Sequence, residues 1–338
     1  MVGQTIVQLL DDHKWFELTE VAASEKSIGR RYEEVMENRW NVSAEVPEYA
    51  RNLMIKECKP DLDCDIVLSA LDSGVAFDIE NDFAKAGYAV SSNAKNHRME
   101  IDVPLLIPEI NADHADLIKV QRKNRNWDGF IVTDPNCSTI ALCLALKPLL
   151  DTFGLEKVMV TTMQAISGAG YPGVPSMDIY DNVIPYINGE EPKMETEPLK
   201  ILGKFEGDRV SNAAIAMSAQ CNRVPVRHGH TECVNVKLSR SATERDIIDA
   251  LERFRPLEGF GLPSAPKRPV IYLKGESRPQ PKLDTNTENG MTSVVGRLRK
   301  CNILDYKFVV LGHNLVRGAA GAAILNAELL KVKGYIGE

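Results

Sequence analysis

The sequence predicts a two-part fold: a doubly wound parallel α/β sheet, followed by an α+β body with a mixed sheet. Three observations carry that prediction. Apolar runs alternate with helical patterns through the first 150 residues, which argues for strand–helix–strand units. From about residue 155 the apolar runs lengthen and few helical patterns separate them. The chain then closes on LVRGAAGAAILNAELLK (315–331), a helix with a Gly/Ala face able to pack closely on a flat surface, expected to return to the first domain.

The elements follow in order. MVGQTIVQLLDDH opens as an amphipathic helix with Val2, Ile6, Val7, Leu9 and Leu10 as its apolar positions. LTEVAAS (18–24) and CDIVLSAL (64–71) read as strands, Phe77 to Ala86 as a helix, and Tyr88 to Ser91 as a strand. Ala112 to Val120 reads as a helix and GFIVTDP (129–135) as a short strand. In the second body VMVTTMQAI (158–166), HTECVNVKLS (230–239), RPVIYLK (268–274), TSVVGRLRK (292–300) and YKFVVLG (306–312) are strands, and TERDIIDALERF (243–254) is a helix. The stretch 275–290, rich in Pro, Asn and Gly, reads as a long loop that is either functional or a disordered surface excursion. The expected division is 1–136 with 313–338, and 137–312.

Composition excludes several classes. A net charge of −7 gives no electrostatic footprint for nucleic acid. No apolar run approaches the roughly 18 residues of a membrane span, and no basic region with a following apolar stretch marks a signal peptide. Seven cysteines without a C-x-x-C pair fit reduced thiols in a cytosolic enzyme. His228, His230 and Cys233 lack further partners at ligand spacing, so no metal is expected.

The stretch TDPNCSTIALCLAL (133–146) holds the sharpest chemical signal. Asn136 is a preferred N-cap, and Ile140, Leu142, Leu144 and Leu146 continue as a buried helix. Cys137 therefore falls in the first helical turn, where free N–H groups and the macrodipole favour an anion and can lower a thiol's pKa. Cys143 has no such field and reads as a core residue.

The opening helix suggests a dinucleotide fold, since Gly3 sits where the last glycine of G-x-x-G-x-x-G would stand and a strand ending in VAAS follows at the right distance. Ala22-Ala23-Ser24 offers no carboxylate for a ribose 2′-OH. Ser24 and Lys26 could instead accept a 2′-phosphate, which favours NADP, although Glu25 stands between them.

Several stretches together resemble the aspartate-semialdehyde dehydrogenases of archaea and fungi: PNCSTIA, QAISGAG (164–170), CNRVPV (221–226), GHTE (229–232), SSNAKNHRM (91–99), ETEPLKILG (195–203), RPQPKLD (278–284) and HNLVRGAAGA (313–322). The resemblance spans essentially the whole chain in order. It implies a Rossmann-like NADP domain followed by a catalytic and dimerisation domain, in a homodimer or homotetramer. It implies reduction of 4-phospho-L-aspartate to the semialdehyde through a thioacyl-enzyme, the reverse reaction using inorganic phosphate, in lysine, threonine and methionine biosynthesis. Cys137 would be the nucleophile, His230 the acid/base with His228 second, and Gln164 would orient the substrate or acyl group. Arg223 would hold the α-carboxylate. Arg98 and Lys200 would bind phosphate with Asn93 and Asn136 donating nearby, and Glu197 would position substrate or Lys200. Ser73, Gly74, Ser167, Gly168 and Asn314 would join Gly3, Ser24 and Lys26 as cofactor contacts.

Members of that family carry a strand and G-A-T-G ahead of the M-V-G-Q met here at residues 1–4. The expectation is a cofactor domain without that central strand and two phosphate-loop glycines, binding NADP poorly. Two other readings share the residues: an acyl-CoA reductase of the malonyl-CoA type, with the same Cys–His chemistry, and an inactive truncated paralogue.

Overall fold

The computed structural model describes residues 1–337. Helix α1 (Val2–Leu9) buries Thr5, Ile6 and Val7. Strand β1 (Val21–Ala23) pairs in parallel with β2 (Ile55–Glu57), Val21 opposite Ile55. A second parallel sheet follows from β3 (Ile66–Ser69), β4 (Ala89–Ser92) and β5 (Phe130–Thr133), in that spatial order. Helices α2 (Ser73–Lys85) and α3 (Leu117–Arg125) make its crossovers.

Two expectations are shortened here. The strand expected over 18–24 is three residues long, because the chain turns into a 3-10 turn, Glu25–Ser27, just past Ser24. The helix expected over 112–120 begins as a 3-10 turn, Ala112–Asp116. The side chain of Asn111 accepts from Ile107 N and donates to Leu105 O, pinning the separate helical turn Pro108–Asn111 just before it.

No ladder joins β1–β2 to β3–β4–β5. Between them lies a cavity of about 1370 Å3, lined by the start of α1, the end of β1 and the whole of β3.

Helix α4 (Cys137–Phe153) opens the second body, and β6 (Leu155–Gln164) follows. Helix α5 (Glu190–Ile201), a small hairpin of β7 (Lys204–Phe205) and β8 (Val210–Ser211), β9 (Ala216–Arg223) and β10 (His230–Leu238) come next. Helix α6 (Glu244–Arg253) starts with a Thr243/Asp246 capping box. Strands β11 (Val270–Leu273), β12 (Ser293–Lys300) and β13 (Tyr306–Gly312) complete one mixed six-stranded sheet, in the order β11-β12-β13-β10-β6-β9. Leu142, Leu144 and Leu146 of α4 pack on Val158, Val160, Val234, Val236 and Val310 of that sheet. Each such fully buried side chain stabilises the body by about 2 kcal/mol.

The polar strand β9 escapes hydropathy reading, since the apolar positions on its core-facing side are only Met217, Ala219 and Cys221. Three of its outward N–H groups are taken: Ala219 N donates to Glu195, Cys221 N to Glu191 and Arg223 N to Ile184 O. The loop over 275–290 is a folded element, not a disordered excursion. It contains a helical turn, Pro281–Asp284, whose buried Asp284 accepts from Gln280 N and pairs with Arg278. The last helix, α7 (Gly321–Val332), follows a π-helical turn at Val316–Ala320 and returns to the first body. There Ala327 and Leu330 join Ala89, Phe130 and Val132 in one cluster.

Candidate active site

The site forms where the N-terminus of α4 meets the ends of β6, β9 and β10. Asn136 caps α4, its side-chain oxygen accepting from Ser138 N at 3.0 Å and Thr139 N at 3.4 Å. Cys137 thus occupies the first helical turn, and Cys143 is fully buried in the core. The Sγ of Cys137 lies 3.2 Å from Nε2 of His230. Ala165 N donates to His230 Nδ1 at 3.0 Å. A backbone N–H can only donate, so the neutral imidazole carries its proton on Nε2, facing the sulfur. His228 instead sits outside the dyad, with Nδ1 on Ser167 Oγ at 3.0 Å.

Electrostatics corrects one expectation. Burial, reinforced by Glu190, pushes the Cys137 thiol up to about 12, against the pull of Arg98 and Arg223. Burial and the neighbouring Arg223 push His230 down to about 3. The resting dyad is a neutral thiol beside a neutral imidazole.

Gln164 and Arg223 are register partners on β6 and β9, so both reach the same side of the sheet beside the dyad. One arm of Arg223, Nη1, donates to Ala165 O at 2.7 Å. Gly168 is packed against both: a Cβ there would come within 2.9 Å of Arg223 Nη1 and 3.0 Å of His230 Cε1. It lies in a 3-10 turn, Ile166–Ala169, with Ser167, whose hydroxyl accepts from Asn314 Nδ2 at 2.8 Å. Asn314 Oδ1 in turn accepts from Gly229 N. Gly318 closes the other side, since a Cβ would approach Cys137 Cβ to 2.7 Å.

Arg98 is buried and keeps its charge: burial works against it, but Glu197 and Asp134 hold its pKa above the ordinary value. Its Nη1 pairs with Glu197 Oε1 at 3.0 Å and its Nη2 donates to Asn93 O. The other oxygen of Glu197 accepts from Asn136 N at 2.7 Å. Glu197 therefore ties Arg98 to the residue before the nucleophile. Lys200 is placed differently from the expectation. Its ammonium donates to the carbonyls of Arg98, Glu100 and Val103, at 2.7–2.8 Å, which uses all three of its N–H groups. It fastens the loop that carries Arg98. Asn93 likewise braces that loop, donating from Nδ2 to Ser69 O.

The structure gathers Cys137, His230, Gln164, Arg223, Arg98, Glu197, Asn136, Ser167, Gly168 and Asn314. Gly3 and Ser24 stand apart, on the cavity between β1 and β3. Lys26 lies in the turn after β1, and Ser73 and Gly74 open α2. Sequence reading overlooked Glu190, whose Oε1 accepts from Asn136 Nδ2 and Gln164 Nε2. In NGEEPKMETEPLK it looks like one more solvated acid, and only its place at the first turn of a helix next to the ETEPLK match could have flagged it. Gly318 was inside a matched motif but had no role attached.

Comparisons with known proteins agree with this geometry. A family model described as semialdehyde dehydrogenase, NAD binding domain, matches residues 1–118, and one described as semialdehyde dehydrogenase, dimerisation domain, matches residues 146–317. An aspartate-semialdehyde dehydrogenase of Archaeoglobus fulgidus is 53% identical over 331 residues, covering 98% of this chain and 95% of its own. The chain belongs to the aspartate-semialdehyde dehydrogenase family. A second relative so named, from Methanothermobacter thermautotrophicus, is 50% identical over 98% of this chain and 96% of its own. The crystal structure of the Candida albicans aspartate semialdehyde dehydrogenase with NADP superposes with a TM-score of 0.89 at 42% identity, covering 98% of this chain and 96% of that one. The fold is accordingly that of the family, a nucleotide-binding α/β body joined to a dimerisation body. Among the described residues no helix is long and apolar enough to cross a membrane.

Proposed function

We propose that the chain is a phosphorylating, NADP-dependent aspartate-semialdehyde dehydrogenase, reducing 4-phospho-L-aspartate to L-aspartate 4-semialdehyde and running the reverse oxidation with inorganic phosphate. The observation that carries it is the Cys137–His230 pair at 3.2 Å, set between two arginines that can each hold an anion. The bodies are 1–136 with 313–338 for the cofactor and 137–312 for catalysis and self-association as a homodimer or homotetramer, in the cytosol.

In the reductive direction the Cys137 sulfur attacks the acyl carbon, the C–O bond to phosphate breaks, and the thiol proton leaves with the phosphate. Arg223 uses its free guanidinium arm for the α-carboxylate. Arg98, braced by Glu197, faces the phosphoryl group, with Asn136 beside it. His230 donates from Nε2, first to sulfur and then to the carbonyl oxygen as that oxygen gains charge. These are hydrogen bonds: the imidazole stays neutral, and a proton drawn from solvent restores the thiol as the aldehyde leaves. When bound, NADPH supplies the hydride that reduces the thioester. Ser167, Gly168 and Asn314 would hold its nicotinamide end next to Cys137. Ser24 and Lys26 would take the 2′-phosphate and Gly3, Ser73 and Gly74 the middle. The fit rests on open space at Gly74, where a Cβ would meet nothing within 4 Å, and on a serine in place of a carboxylate at the end of β1.

The deciding assay follows reduced nicotinamide formed from aspartate semialdehyde, with and without phosphate. Phosphate-dependent formation is expected. Reduction of a CoA thioester without it would instead mark an acyl-CoA reductase.

A further inference from the structure

We propose that His97 is a positioning residue for Arg98, which it holds from the cofactor body, and that it thereby sets the affinity of the phosphate site rather than the rate of the chemistry. This rests on the reading above, in which Arg98 faces the phosphoryl group, and names what keeps it there.

His97 and Arg98 are consecutive residues whose side chains reach opposite bodies. Arg98 crosses to α5, where its Nη1 meets Glu197 Oε1 at 3.0 Å. His97 turns the other way, towards α2, and is completely buried. Its ring stacks on Phe77 of that helix, the centroids 4.8 Å apart and the planes 17° from parallel. Both ring nitrogens face carboxylates: Nδ1 lies 3.1 Å from Glu100 Oε2, and Nε2 lies 3.6 Å from Glu80 Oε2. Each acid is itself tethered. Glu80 Oε1 accepts from Ser69 Oγ at 2.6 Å and from Ser92 Oγ at 2.7 Å, the last residues of β3 and β4. Glu100 Oε2 accepts from Arg125 Nη2 at 2.6 Å, and Arg125, the last residue of α3, also pairs with Asp102.

A ring held on one face and both edges cannot swing away without leaving the buried Glu80 Oε2 facing apolar surroundings, which is costly. The loop is therefore keyed to the carboxyl ends of β3 and β4. Lys200 secures the same loop to the catalytic body through the carbonyls of Arg98, Glu100 and Val103, so the two grips come from opposite sides. What they serve is the guanidinium. Arg98 uses Nη1 for Glu197 and Nη2 for Asn93 O, while its buried Nε has no partner among the described residues. That N–H and the remaining hydrogens of the fork are what phosphate oxygens can take, in a geometry that tolerates little displacement.

The test is phosphate-dependent oxidation of L-aspartate 4-semialdehyde by the full chain, with KM read separately for phosphate and for the semialdehyde. His97→Leu keeps bulk against Phe77 but offers neither acid a polar partner. It is expected to raise KM for phosphate about tenfold or more, with kcat and KM for the semialdehyde within about threefold. A merely structural role would lower kcat or move both KM values together, and either result would overturn the proposal. Action through Arg98 has a second signature. In an Arg98→Lys background, His97→Leu should add nothing further to KM for phosphate, and an additive rise would count against the proposal decisively. Should His97→Leu fold poorly, Glu100→Ala decides, since that side chain is 27% exposed and its backbone carbonyl stays available to Lys200. Its KM for phosphate should rise about threefold or more, and an unchanged value sinks the idea. If the native protein shows no phosphate-dependent oxidation, the functional reading fails and this proposal with it. Phosphate-dependent oxidation with an unmoved KM for phosphate in the variants keeps that reading and removes only the role of His97.

Discussion

The two bodies of this chain hold their strands in different ways. In the catalytic body one six-stranded ladder runs unbroken from β11 to β9, with α4 seated on it by a continuous apolar cluster. In the cofactor body five strands fall into two separate parallel sheets facing a cavity of about 1370 Å3. The difference teaches where precision is stored. A thiol and an imidazole 3.2 Å apart come from two elements keyed to one sheet, whereas the cofactor-side residues Gly3 and Ser24 come from segments that share no ladder with β3. The dyad is keyed to one continuous ladder, and the cavity-lining residues to two.

The largest expected effect tests whether the continuous sheet holds the chemistry. Cys137→Ala should lower turnover on the order of 10^4-fold or more while leaving the thermal midpoint nearly unchanged. Substantial residual turnover would break the contrast at its root. Native-state hydrogen exchange addresses the ladders directly. Amides of β6 and β10 should exchange only through near-global opening, and those of β1 and β2 on the order of 100-fold faster through local opening. Equal protection in both bodies would show that the separated sheets are as firmly held as the joined one.

A third experiment concerns the seam between the bodies. Lys200→Met strands three carbonyls that the ammonium now satisfies, at a cost of about 2–4 kcal/mol in urea unfolding. Turnover should fall with it as the loop carrying Arg98 loosens. A stability loss without any loss of turnover would show that Arg98 holds its place unaided. The smallest effect is a pH profile. With the thiol pushed up to about 12, thiolate grows tenfold per pH unit across the neutral range. Alkylation at Cys137, read by peptide mass spectrometry, should rise steadily to pH 9 without a plateau. No step should appear near pH 6.5, because His230, pushed down to about 3, is neutral throughout. A plateau at neutral pH would mean that the resting dyad is an ion pair.

Much of this was legible before any coordinates. Longer apolar runs marked β6, β10, β12 and β13, and Asn136 marked the start of α4, because burial and N-capping leave local traces. Strand β9 left none, since its edge position and polar outer residues hide the alternation. Lys200 illustrates a different limit. A lysine three residues after Glu197 on a helix is equally consistent with an anion site and with carbonyl capping, and only the path of residues 98–103 decides. Cys137 marks a third. Helix position was visible, but the carboxylate that pushes the thiol up, Glu190, comes from α5, more than fifty residues away in sequence.

The outer margin of β9 has a consequence of its own. An unoccupied sheet margin is a template on which another polypeptide can crystallise as an added strand, and the route by which many soluble proteins are lost to fibrils. Here Glu195, Glu191 and the Ile184 carbonyl already occupy the outward N–H groups of residues 219, 221 and 223. A stray chain therefore finds these three donors already engaged. The acids of α5 thus do for the longevity of the molecule in a crowded cell what they do nearby for its chemistry.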